Sequence, residues 1–136
     1  MKPIDFAKAI GIGVLLLALN LLLTTAVIFV YAGLFAPGRT QAEYTALAPQ
    51  IGAWSGPIGG VVLLFVAGWL FARRRPERNA LLFAMVVWDA YALLDIALGL
   101  PMGGVSALLT VPFVTHMALS LAAALLGAHI ARRQAA

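Results

Sequence analysis

The stretch VVWDAYALLDIALGLPMGG, residues 86–104, decides how this chain is read. It is an apolar run that keeps two carboxylates, Asp89 and Asp95, and closes on Pro101, Met102, Gly103 and Gly104. Apolar sequence continues on both sides of that punctuation, over 80–100 and 105–131. Each run is long enough for the about 20 residues that cross a hydrocarbon core about 30 Å thick. A break of only four residues between two such runs predicts a tight antiparallel helical hairpin.

Two further apolar runs precede the hairpin, at about 9–36 and 51–72. The whole chain has 136 residues, of which 63% are hydrophobic and 10% charged, with a mean hydropathy of +1.01. A soluble domain keeps about a quarter of its residues charged, so the expected fold is all-α and integral to the membrane. Four transmembrane helices form an up-down bundle, one membrane domain over residues 1–136. The first run exceeds the about 7–15 apolar residues of a secretory signal core, and is read as a retained helix.

Charge gives the direction. Lys2 and Lys8 precede the first span, Arg73, Arg74, Arg75 and Arg78 separate the second from the third, and Arg132 and Arg133 follow the fourth. Of the nine Lys and Arg residues only Arg39 lies on the other side. The positive-inside rule then makes both termini cytoplasmic, in a multi-pass protein of the cell membrane, the bacterial inner membrane being the natural case. The net charge of +4 and pI of 10.1 are thus a topology signal, and no nucleic-acid partner is implied. The arginines at 73, 74, 75 and 78 are also placed to attract anionic lipid headgroups.

In the outer loop, residues 37–50, Thr40 and Glu43 fit a capping box. They predict a short surface helix that Pro49 ends, with Tyr44 and Trp54 at headgroup level.

The aspartates carry the functional question. An Asp at the centre of a span costs about 2.5–3.5 kcal/mol on the insertion scale, so such groups are kept for a partner or a pathway. Counted from a turn at 101–104, Asp89 and His116 share a level about 16 Å deep, and Asp95 shares one with Thr110 about 8 Å deep. Asn20 of the first span falls near the depth of Asp89. The seam of the third span is read as Met85, Trp88, Ala92, Asp95 and Gly99, with Leu82, Phe83, Val86, Ala90, Leu93 and Ala97 towards lipid. The expected polar site is therefore Asp89 paired with His116, with Asn20, Asp95, Thr110 and Trp88 around it. Gly52, Gly56, Gly60 and Gly68 are expected to let helices approach closely.

This pattern predicts proton-linked transport, or binding of a small or lipid-like ligand. The alternative is an accessory or assembly subunit that docks through its glycine and small-residue faces, either as a homodimer or in a larger membrane complex. A membrane enzyme acting on a lipid or isoprenoid ranks third, since the chain has no G-x-S-x-G, H-E-x-x-H or phosphate loop. With no cysteine, and with His129 about 20 Å from His116 along the helix, no metal or cofactor is expected. The only lysines, Lys2 and Lys8, lie outside the spans, which excludes a Schiff base within the bilayer.

Overall fold

The computed structural model describes residues 1–75 and 79–135, so Arg78 lies outside the described residues. It is an all-α bundle of α1 (Pro3–Phe35), α2 (Gln41–Arg74), α3 (Ala80–Leu108) and α4 (Val111–Ala135). Four segments are long and apolar enough to cross a membrane: Pro3–Phe35, Gln41–Arg74, Ala80–Pro101 and Val111–Gln134. Their outward surfaces are apolar: Leu22, Phe29, Ile58, Leu93 and Leu126 are all more than half exposed. In a protein without charged cover, such a surface fits lipid rather than water.

Around the bundle the order is α1, α2, α4, α3, with α2 and α3 on a diagonal. The parallel pairs, α2 with α4 and α1 with α3, are therefore neighbours. Small residues set both contacts. A Cβ on Gly68 would overlap the Ala124 carbonyl, and one on Gly127 would overlap the Phe65 carbonyl, so α2 and α4 meet backbone to backbone. On the other side, a Cβ at Gly13 would come within 2.6 Å of the Val87 carbonyl and 2.7 Å of the Ala90 Cβ. Close backbone approach of this kind is how membrane helices gain dispersion energy without a hydrophobic driving force. Ala128, Ala131 and Leu64 are fully buried in the resulting core.

The Thr40–Glu43 capping box forms as expected. The Glu43 N–H donates to Thr40 Oγ1 at 3.4 Å, and the Thr40 N–H donates to a Glu43 carboxylate oxygen at 2.7 Å. Pro49 does not end the helix that Thr40 caps. α2 runs unbroken from Gln41 to Arg74 through Pro49 and Pro57, so there is no separate surface helix. Each proline removes one backbone donor, a loss that a well-packed membrane helix tolerates. Tyr44 closes the preceding turn by donating its hydroxyl to the Ala36 carbonyl at 2.9 Å.

The α3–α4 hairpin also departs from expectation. Its reversal is not confined to 101–104: helix continues on both sides of a break at Gly104, which has φ 66° and ψ −172°, and reaches Leu108. Residues 109–110 then turn into α4 at Val111. Pro112 consequently sits in the first turn of α4, where its missing N–H is one of the free donors anyway, and it does not kink a span.

α3 is turned by about one residue relative to the seam read from its sequence. Its buried side chains are Ala80, Phe83, Ala84, Val87, Tyr91 and Ala92, whereas Met85 is 44% exposed. The cause is the neighbour: α1 lies against Val87, Ala90 and Tyr91 through Gly13. Phe83, expected towards lipid, is 3% exposed.

Candidate functional site

The half of the bundle away from the chain termini opens into a cleft of about 460 Å³ to which all four helices contribute. Its polar members are Asn20 and Thr24 from α1, Tyr91 and Asp95 from α3, His116 from α4, and Thr110 from the turn. Leu17, Leu98 and Phe113 are among its apolar ones. The volume and the mix of apolar wall with a few convergent polar groups are those of a small-molecule site.

Asn20 is the knot of this region. Its Nδ2 donates to the Gly56 carbonyl of α2 at 3.1 Å and to the Tyr91 hydroxyl of α3 at 2.9 Å, tying three helices together. The Gly56 carbonyl can only accept, which fixes the amide orientation. Asn20 Oδ1 is then turned against Gly59 and, among the described residues, is buried with no hydrogen-bond partner. His116 Nδ1 is likewise buried without a partner among them. Tyr91, 1% exposed, lies beside His116 over Gly60, where a Cβ would come within 2.6 Å of the Tyr91 hydroxyl and 3.0 Å of the His116 ring. Leaving a buried polar atom unmade costs about 1–3 kcal/mol, so two of them at one level mark a place where the fold is not at its most stable.

Asp95 and His116 line the cleft together and lie within electrostatic reach of one another. A carboxylate facing an imidazole across a cavity can bind a cationic group or share a proton.

Of the residues read from the sequence, the structure brings Asn20, Asp95, His116 and Thr110 to one cleft. It does not bring Asp89 there: Asp89 is exposed on the outside of α3. The expected Asp89–His116 pair is therefore not formed, and Asp95 takes its place. The six residues from Val105 to Thr110, helix and turn rather than span, move the level partner of His116 six positions along α3 towards the turn. Thr110 donates its hydroxyl to the Ala107 carbonyl at 3.0 Å, not to Asp95. Trp88 lies outside the cleft and donates to Ser120 Oγ at 2.9 Å, and Ser120 donates in turn to the Met117 carbonyl. Gly52 and Gly56 face Thr24 at ordinary contact distance, Gly60 accommodates Tyr91 and His116, and only Gly68 of that row meets a neighbouring backbone closely.

Sequence reasoning passed over Tyr91 as the partner of Asn20, and Gly13 as the close contact of α1. The signal for Tyr91 was its place four residues before Asp95, on the same face of α3. Among the described residues, no group of three or more His, Cys, Asp or Glu side chains is arranged to hold a metal ion. Set against known proteins, the chain matches no family model, no curated protein and no solved structure.

Proposed function

We propose that this is a small multi-pass protein of the cell membrane, termini on the cytoplasmic side, whose outer-half cleft binds a small or lipid-like ligand in a proton-linked way. The observation that carries the reading is the placement of Asp95 and His116 on one cleft whose floor holds unpaired polar atoms. Intramembrane ionisable groups that face a cavity, rather than a satisfied partner, are the usual mark of a binding site or pathway. In this reading Asp95 meets a donor or cation on the ligand, His116 takes or returns the accompanying proton, and Asn20 with Tyr91 holds the floor rigid. Transport adds one requirement, a second state in which the tight inner half opens. Anionic lipids gather at the inner end around Lys8, Arg74 and Arg75, which border two adjoining surface hollows.

The subunit alternative, as drawn from the glycines, has less to rest on, because Gly60 and Gly68 are covered within the chain itself. A homodimer remains compatible with the cleft but nothing in its lining calls for one.

Native mass spectrometry of the protein released from its own membrane under mild conditions tests the proposal. A bound small molecule that persists in Asp89→Asn and is lost in Asp95→Asn is the expected result. An unliganded spectrum for the native chain, with no binding recovered between pH 5 and 8, would overturn it.

A further inference from the structure

Asp89 answers to a different logic from the rest of the polar set. It lies in the middle of a stripe on α3 made of Leu82, Met85, Leu93 and Leu100, which are 37%, 44%, 67% and 42% exposed. These positions repeat at helical spacing and face away from α1, α2 and α4. Among the described residues Asp89 makes no hydrogen bond or ion pair. The nearer end of the membrane-crossing segment, at Ala80, is nine residues off, about 13 Å along the axis. An aspartate side chain cannot snorkel that far, as a lysine or arginine would. As a monomer in lipid, the chain thus presents a carboxylate to hydrocarbon with the full insertion cost and no compensation.

The geometry points to this stripe as a docking face for a transmembrane helix of another protein, one that carries a basic residue at mid-membrane. Charge complementarity selects that occupant over a second copy of this chain. Among the described residues the lysines and arginines of this chain, Lys2, Lys8, Arg39, Arg73–Arg75, Arg132 and Arg133, all lie outside the central part of its spans. A second copy packed face to face would bring only another Asp89 to this level, and like carboxylates repel unless they share a proton. A partner arginine or lysine instead removes two intramembrane charges at once, which is why such groups are found paired. This inference stands apart from the cleft, since Asp89 and Asp95 face different surroundings on one helix.

The test uses the full chain, which has no cysteine of its own. It carries a fluorophore at R133C and sits in phosphatidylcholine vesicles. The probe is a labelled Leu/Ala helix of about 23 residues, long enough to span, with one central arginine; companion helices carry leucine or glutamate there. Energy transfer is expected to show the arginine helix binding at least tenfold tighter than the leucine helix, a margin of about 1.4 kcal/mol. That margin should vanish in Asp89→Asn, survive in Asp89→Glu, and survive in Asp95→Asn, which shares the fold but not the face. Equal binding of the arginine and leucine helices would overturn the inference, as would a margin that persists in Asp89→Asn. Self-association of the chain that Asp89→Asn abolishes, with the probe excluded, would assign the face to a second copy and overturn it too.

Discussion

Around Gly68 and Gly127, α2 and α4 touch through their backbones, and nothing larger than a hydrogen fits between them. Two turns back along α2, at Gly60, the same helix gives up its space to the side chains of Tyr91 and His116. The half of the bundle near the termini is thus closed by small residues, among them Ala124, Ala128 and Ala131, all buried. The opposite half is held apart by bulky polar groups and contains the cleft. The difference teaches where each kind of function can reside. Dispersion between close backbones gives a rigid, dry end, and a hydrogen-bonded knot at Asn20 gives an end with room for a guest.

The largest effect should come from attacking the closed end. Gly127→Leu drives a side chain into the Phe65 carbonyl, and no rotamer relieves a clash with backbone. Overpacking of this kind costs about 1–3 kcal/mol and at times more, so the variant should unfold at markedly lower denaturant concentration in detergent, or fail to assemble. A variant as stable as the native chain would mean that α2 and α4 are not in close contact there. Gly104→Ala ranks next, because φ 66° with ψ −172° is a backbone region open essentially to glycine alone. The expected loss is about 1–3 kcal/mol, read by the same unfolding measurement.

Asn20→Leu sharpens the comparison at the open end. It removes the donor to Gly56 and Tyr91 and leaves a carbonyl and a hydroxyl without it, for a cost of about 1–3 kcal/mol. Part of this is returned, because the unpaired Oδ1 disappears with the amide. The net effect should therefore be smaller than that of Gly127→Leu, with the cleft widened. Trp88→Phe is smaller again: it removes one hydrogen bond to Ser120, worth about 0.5–1.5 kcal/mol. Tryptophan-specific hydrogen exchange at the indole N–H would check that bond in the native chain.

How much of this could be read beforehand follows from which facts are local. Four spans were legible because hydropathy sums over a segment and does not depend on which way it faces. The capping box was legible because Thr40 and Glu43 need only each other. The face of α3 was not, since the observed face, with Ala84, Tyr91 and Ala92, offers small and polar residues much as the expected seam does, and the choice fell to Gly13 on another helix. The level of Asp89 is not legible, because the sequence puts the turn at 101–104, while helix resumes beyond Gly104 and the turn into α4 comes only at 109–110. Pro49 misled because the effect of a proline depends on its position within a helix. Pro112 opens α4, and Pro49 lies within a helix that carries on past it. Asn20, Asp95 and His116 were found from their chemistry alone, because few polar groups occur at that depth, but their true company required the packing.

The smallest effect is the one that most directly tests whether the two ends differ. Gly52 belongs to the same row as Gly68, yet a Cβ there would meet only the Thr24 methyl, at 3.9 Å, an ordinary van der Waals distance. Gly52→Ala adds that contact and gains helix propensity worth about 0.8–1.0 kcal/mol for a glycine replaced in a helix interior. The variant should therefore be as stable as the native chain or slightly more so. Gly68→Ala, made in parallel, should lose stability against the Ala124 backbone. If the two alanines cost the same, the glycine row acts as a single packing edge along its whole length. The cleft would then be narrower in the membrane than the spacing of α1 and α2 implies, and the division between a closed and an open end would fail.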